Sequence, residues 1–402
     1  MVIKEFETFI VGNPPPRFGG RYFIFVKLVT DAGVVGYGEV YCATFGAQTV
    51  EAMLRDTAER YLIGHDPFHI ETLWRRVYGA GYSLRPDISL VSVLSALEMA
   101  CWDIIGKECG KPVYELLGGQ VHEKLRSYTY IYPREGDVYP DANDTDHVYA
   151  NPARAAERAL EYVEQGFTAL KFDPAGPYTV FDGGMPTGQE LDRSEAFMRL
   201  LREAVGGSVD LLFGTHGQFC PAGAIRLAKR LEPYDPLWFE EPVPPEDPAQ
   251  MAAVATATSI PVATGERLCT KYEFARVLEE GAAAILQLNL GRVGGLLEAK
   301  KIAALAEVKY AQIAPHLYCG PIVGAANIQL ATCSPNFLIL EGIEAWGGFQ
   351  AALLDRPVQW QDGYVIPSRE PGLGVTLNEV VARENPWCGD ALHLEMGSAP
   401  VR

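Results

Sequence analysis

The chain has 402 residues, a formal net charge of −17 and 48% hydrophobic residues. That length and apolar content suffice for two packed domains, and the negative charge disfavours nucleic acid as a partner. Eight cysteines without CxxC spacing read as reduced, packed thiols, and with no signal-like N-terminus and no apolar run of membrane-spanning length the sequence predicts a cytoplasmic protein with no membrane partner.

In chain order, residues 21–30 and 34–40 read as two strands joined by the turn Asp31-Ala32-Gly33, a hairpin signal. Helical stretches follow at residues 48–62, 69–77 and 90–107, the last with Leu94, Leu97, Cys101, Ile104 and Ile105 on one stripe. Residues 1–125 therefore read as an α+β domain. A strand at 127–132, a helix at 152–165 and a strand at 168–172 come next, and residues 174–191, rich in Gly, Pro and Asp, read as an inserted loop. Beyond it, short apolar runs at 211–213, 237–239, 260–263 and 284–286 alternate with helical stripes. One stripe is Ala224, Ile225, Leu227, Ala228 and Leu231; another is Leu296, Leu297, Ile302, Leu305 and Ala306. The tail, 356–402, reads as short strands with turns at 363–367 and 371–375 and is expected to return to the first domain.

Polar markers end these runs at a near-constant interval. Gly214, Glu240, Glu266, Asn289, His316 and Glu341 are 26, 26, 23, 27 and 25 residues apart. A strand, a helix and two short loops come to roughly 25 residues, so each marker occupies the same place in a repeated βα unit. The fold class this predicts is α/β: a (β/α)8-type, TIM-like barrel over residues 126–355 behind an N-terminal α+β capping domain. The markers then lie at the C-terminal ends of strands, where side chains from different strands converge.

Glu240 and Glu266 end adjacent strands, and two carboxylates brought together repel unless a cation or proton lies between them. Oxygen ligands at an open rim suit Mg²⁺. The plain alternative is that these glutamates pair with Arg267 or Arg292. Strand alternation turns Glu241 to the other face. Residues 13–21, with three consecutive prolines, read as a lid in which Arg17 or Arg21 binds anionic groups.

These residues resemble the enolase superfamily, in particular its mandelate racemase-like sugar-acid dehydratases. The resemblance is carried by Gly36-Tyr37-Gly38-Glu39, by Glu98-Met99-Ala100-Cys101-Trp102-Asp103, by Trp238-Phe239-Glu240-Glu241-Pro242, by Thr264-Gly265-Glu266, by Gly291-Arg292-Val293-Gly294-Gly295 and by Pro371-Gly372-Leu373-Gly374. It implies Mg²⁺ as cofactor, abstraction of the proton beside a carboxylate, a small acid sugar as substrate and a homo-oligomer. Two positions depart from the pattern. Gly214 stands where relatives carry a first aspartate ligand, and Asn289 where they carry the aspartate that pairs with the histidine.

The implied roles follow position by position. His316 is the base and Asn289 orients it; His216 is the general acid and, given Gly214, a possible third metal ligand beside Glu240 and Glu266. Lys171 binds the substrate carboxylate or serves in proton transfer, Glu341 accepts a hydrogen bond from a substrate oxygen, and Asp173, where racemase-type relatives have a second lysine, is a further substrate contact. The expected reaction is dehydration of an aldonate or aldarate to a 2-keto-3-deoxy acid. Racemisation or epimerisation by the same enediolate stays open, as does a catalytically impaired sugar-acid binding protein.

Overall fold

A computed structural model describes residues 1–134, 146–176 and 183–394. The chain opens on an antiparallel sheet of order β1-β2-β3, formed by β1 (Ile3–Gly12), β2 (Tyr22–Thr30) and β3 (Val35–Val40). Gly33, at φ +81°, makes the predicted hairpin turn between β2 and β3. Helices α1 (Ala47–Tyr61), α2 (Ile70–Tyr78) and α3 (Ile88–Glu108) share one apolar core with β2 and β3. Asp87 starts α3 by accepting from the backbone N–H groups of Ser89 and Leu90.

One sequence expectation needs correction here. Helix α3, at 21 residues, is long and apolar enough to span a membrane by length and composition. It is instead wrapped by protein, with 83% of its most apolar stretch buried, as a helix hydrophobic all round must be when it lies at the centre of a core.

Gly36 and Gly38 let β3 lie directly on α3. A Cβ on Gly38 would stand 2.0 Å from the carbonyl oxygen of Ala96, and one on Gly36 2.2 Å from that of Ala100. Backbone cannot yield as a side-chain tip can. Gly38→Ala is therefore expected to cost about 1–3 kcal/mol of stability, read as a lower midpoint in denaturant unfolding with an unchanged m-value.

After the short helix α4 (Val113–Leu116) comes the barrel. Its strands are β4 (Leu125–Tyr130), β5 (Ala169–Phe172), β6 (Asp210–Gly214), β7 (Trp238–Glu240), β8 (Val262–Thr264), β9 (Ile285–Leu286), β10 (Gln312–Ile313) and β11 (Leu340–Gly342). Each pairs in parallel with the next from β4 to β10, and β11 pairs in parallel with β4. A parallel bridge from Ile313 to Phe337 closes the ring. Between the strands run α5 (Pro152–Glu164), α6 (Gly188–Val205), α7 (Pro221–Leu231), α8 (Pro248–Ala257), α9 (Thr270–Glu280), α10 (Leu296–Val308) and α11 (Pro321–Thr332). The loop predicted at 174–191 ends earlier, because Thr187 and Glu190 form a reciprocal capping box that starts α6 at Gly188; residues 177–182 of that loop lie outside the described residues.

Beyond α12 (Gly348–Ala352), β12 (Gln359–Gln361) and β13 (Tyr364–Ile366) form a hairpin whose β13 pairs antiparallel with β4. The run at 371–375 is not a strand. It is a turn pinned by α3, with the Leu373 N–H donating to Asp103 and Gly372 exchanging backbone bonds with Lys111 and Val113. Helix α13 (Glu379–Glu384) lies against β1, Glu379 accepts from Tyr37 at 2.7 Å, and Trp387 packs on Tyr22 with ring centroids 5.2 Å apart.

Candidate active site

The barrel is filled by one side chain per strand: Tyr128, Ala169, Leu212, Trp238, Ala263, Ile285, Ala314 and Ile339 form a single buried cluster. Side chains repeat on a face every two residues along a strand. Two residues further on, the next layer toward the C-terminal end is Tyr130, Lys171, Gly214, Glu240, Gly265, Gln287, His316 and Glu341. Apolar filling gives way within one step to ammonium, carboxylate, amide and imidazole. That step is the floor of the site.

Glu240 is fully enclosed and its two oxygens are separately held, Oε1 by the Lys171 ammonium at 2.6 Å and Oε2 by the Gln287 amide at 2.6 Å. Lys171 also faces Glu341 at 3.6 Å, and Glu341 accepts the Leu317 N–H at 2.8 Å. Burial opposes the lysine's charge, but Glu240 and Glu341 outweigh it and raise its pKa well above the ordinary value. Lys171 is thus a fixed cation. Of the plain pairings considered for the glutamates, Arg267 binds Glu241 at 2.8 Å and Arg292 reaches only the backbone oxygen of Glu266, so neither neutralises the Glu240 or Glu266 carboxylate. Burial pushes Glu241 up to about 7 against the pull of Arg267.

Glu266 stands between two imidazoles. His316 Nε2 lies 3.0 Å from Oε2 and His216 Nε2 lies 3.8 Å from Oε1. Burial works against the Glu266 charge, yet the two rings hold its carboxyl well below the usual range. Burial drives His216 down to about 4 although Glu266 and Glu240 resist, which leaves that ring neutral at pH 7. His216 has φ +47°, followed by Gly217 at +73°, so the chain turns sharply to aim the ring inward. His216, Glu240 and Glu266 each offer a ligand atom within 4.8 Å of the others, a group able to hold a metal ion.

The hydrogen bonds of Asn289 fix the state of His316. The Gly291 N–H donates to Asn289 Oδ1 at 2.8 Å, so the amide nitrogen must be the atom facing His316 Nδ1 at 2.9 Å. Nδ1 is then the acceptor and the neutral ring carries its proton on Nε2, toward Glu266. An aspartate at this position would do the opposite and free the Nε2 lone pair. Glu266 and Glu341 favour a second proton on the ring, raising its pKa against burial.

Asp173 sits at the end of β5 with one oxygen, Oδ2, bound by the Tyr130 hydroxyl. Its other oxygen faces His216 Nδ1 at 3.7 Å. Burial pushes Asp173 well above the usual carboxylate range, against the Tyr130 bond and Lys171. The two arginines of the lid are not in this cluster. Arg17 is exposed, and Arg21 donates to the backbone oxygen of Leu392 at 3.0 Å. The segment itself packs beside the end of β4, since Phe18 stacks on Tyr132 at 4.3 Å and Asn13 holds the loop through the carbonyls of Phe18 and Gly20 at 3.0 and 2.7 Å.

Sequence reasoning passed over Gln287, Tyr130, Tyr41 and His393. Strand alternation could have found the first two, since each lies two residues from a position already on the barrel's inner face. Tyr41 and His393 carry no such signal. Tyr41 comes from the N-terminal sheet and stands 6.1 Å from the His316 ring and 5.2 Å from His393, with the Arg292 guanidinium 3.7 Å over its face.

The capping sheet and α3 also secure the rim loops. Glu39 accepts from the backbone N–H groups of Gly320, Ile322 and Val323 at the start of α11. Glu98 accepts from Leu296 and Leu297 at 2.7 and 2.9 Å at the start of α10, where Gly295 has no Cβ to collide with it. Carboxylates at helix N-termini are well placed for the exposed N–H groups and the dipole. Those two helices follow the loops that carry Asn289 and His316.

Two family models match the chain, Mandelate racemase / muconate lactonizing enzyme, N-terminal domain, over residues 18–118 and Enolase C-terminal domain-like over residues 154–381. Among curated relatives, the D-galactonate dehydratase of Ralstonia pickettii (strain 12J) is 37% identical over 379 residues, covering 92% of this chain and 91% of that protein. The D-gluconate dehydratase of Thermoproteus tenax is 34% identical over 401 residues, covering 99% of this chain and 76% of that one. A solved structure from Labrenzia alexandrii DFL-11, assigned to the mandelate racemase/muconate lactonizing enzymes, superposes with a TM-score of 0.96 at 64% identity and covers both chains completely. With the motifs, the barrel, the capping sheet and the rim all in place, the chain belongs to the enolase superfamily, in its mandelate racemase-like group, and is similar to the galactonate dehydratases within it.

Proposed function

We propose that this chain is a hydro-lyase that dehydrates a sugar acid of the aldonate or aldarate class to a 2-keto-3-deoxy acid. The observation that carries the reading is the pair of imidazoles set on the two oxygens of one buried carboxylate, beside a buried ammonium. The dehydratase names of relatives matched over nearly the whole chain support it.

The donor set fits a hard divalent cation: Glu240, Glu266 and His216 converge, and oxygen-rich sites of this kind suit Mg²⁺. Mg²⁺ held by Glu240 and Glu266 would polarise the substrate carboxylate and acidify the adjacent C–H. The protein's own groups do the rest. Lys171, fixed by Glu240 and Glu341, offers positive charge to the carboxylate as charge develops on it. Glu341 orients that ammonium and stands ready to accept from a substrate hydroxyl. His216, neutral, takes the α-proton; His316, carrying the second proton that Glu266 and Glu341 favour, gives its Nε2 proton to the departing β-hydroxyl and is left neutral. One proton and one hydroxide leave as water, and the enol left behind becomes the 2-keto acid. This exchanges the roles expected from sequence, where His316 was the base, and the reason is the Asn289 amide.

The test is a turnover screen of aldonates and aldarates with Mg²⁺, following 2-keto acid release and α-proton exchange in D₂O. Release from at least one acid sugar is expected. Exchange without release across the panel would make the chain an epimerase instead, and neither would leave it a binding protein. Arg17, exposed on the lid, is proposed to select among substrates. Arg17→Ala should raise KM or shift the acid-sugar profile while α-proton exchange at saturating substrate is kept, and loss of that exchange would place Arg17 in the chemical step.

A further inference from the structure

We infer that Asp173 is the third carboxylate ligand of the metal site, supplied from the neighbouring strand to replace the side chain that Gly214 lacks. The inference rests on the reading that Glu240 and Glu266 bind a divalent cation.

Strands β5 and β6 are parallel neighbours with Phe172 opposite Phe213, so Asp173 lies beside Gly214. A Cβ built on Gly214 would come 3.1 Å from Asp173 Oδ1 and 3.7 Å from the carboxyl carbon of Glu240. A side chain at 214 would therefore press on the carboxylate of 173, next to Glu240. The absent ligand and the extra acid are one change.

The state of Asp173 points the same way. Its side chain is 8% exposed, and Oδ1 is buried with no hydrogen-bond partner. A buried carboxylate oxygen without a donor is unfavourable unless a cation or a proton meets it. The other oxygen is held by the Tyr130 hydroxyl, the kind of outer hydrogen bond that orients a metal-binding carboxylate. Ligand chemistry favours Asp173 over His216 as well, because Mg²⁺ prefers oxygen to imidazole nitrogen.

The test is a calorimetric titration of Mg²⁺ alone into chelator-treated protein, repeated with Mn²⁺ and read by its paramagnetic resonance. Asp173→Ala should weaken binding by more than the roughly 10–100-fold that an outer hydrogen-bonding partner is worth. Adding Gly214→Asp to Asp173→Ala should restore binding, since the new carboxylate enters the vacated space. Gly214→Asp alone should not tighten it, because the space is taken. Should Asp173→Ala fail to fold, Tyr130→Phe, which releases the orientation of Asp173, should itself weaken Mg²⁺ about 10–100-fold. If Asp173→Ala binds Mg²⁺ like the unmodified chain while Glu266→Gln does not, Asp173 is no ligand and the metal site stands without it. If the unmodified chain binds neither cation, the metal reading itself fails.

Discussion

Glu266→Gln is expected to abolish divalent-cation binding and to lower turnover by at least about 10²–10⁴-fold, the range typical of losing a proton-transfer group. The size follows from what one carboxylate does here. It offers a ligand atom within reach of those of Glu240 and His216, and it holds both imidazoles, 3.0 and 3.8 Å from its two oxygens. Glutamine keeps the shape and loses the charge, so packing is retained while the site's one carboxylate between two rings becomes neutral. Calorimetry with Mg²⁺ and kcat on a sugar acid measure the two effects separately. An unchanged Mg²⁺ affinity in this variant would remove Glu266 from the metal site.

The second large effect separates the two histidines. With His216 as proton acceptor and His316 as donor, His216→Asn should lose both dehydration and exchange of the α-proton with solvent deuterium. His316→Asn should lose dehydration, again by about 10²–10⁴-fold, and keep exchange. The opposite pattern would return the base role to His316. Asn289→Asp sharpens the comparison. An aspartate would accept from Nδ1 and place negative charge beside the ring, favouring the protonated form and raising the His316 pKa. A donor works only while protonated, so its activity falls as pH rises through that pKa. The variant should therefore carry the basic limb of the pH–rate profile to higher pH. If the acidic limb moves instead, His316 acts as the base.

Much of this was legible along the chain, and the reason is geometric. A repeat of strand and helix near 25 residues puts one polar side chain per βα unit at or just past the C-terminal end of its strand, so Glu240, Glu266, Asn289, His316 and Glu341 announce themselves by spacing alone. Gln287 and Tyr130 were legible too, by the two-residue alternation that places them over Ile285 and Tyr128 in the barrel's filling. Other features depend on contacts between distant segments. No periodicity relates Asp173 to the empty side of Gly214, because that relation runs across a strand pair rather than along it. The proton on His316 Nε2 depends on a third party, the Gly291 N–H that decides which way the Asn289 amide faces. The sequence pattern carries Glu39 and Glu98 only as family motifs. Their work as caps of α11 and α10 needs the first third of the chain to be folded against the last.

Those two capping carboxylates have a consequence for anyone recombining this enzyme with its relatives. The 13–21 segment, proposed as a substrate-selecting lid, and the loops that carry Asn289 and His316 are stapled to the same small sheet and helix. A chimera that imports a foreign N-terminal half to change substrate preference also imports the groups that seat the loops of Asn289 and His316. Graft boundaries should therefore keep Glu39 with α11 and Glu98 with α10, and specificity should be altered within residues 13–21, where the lid can be exchanged without disturbing either anchor.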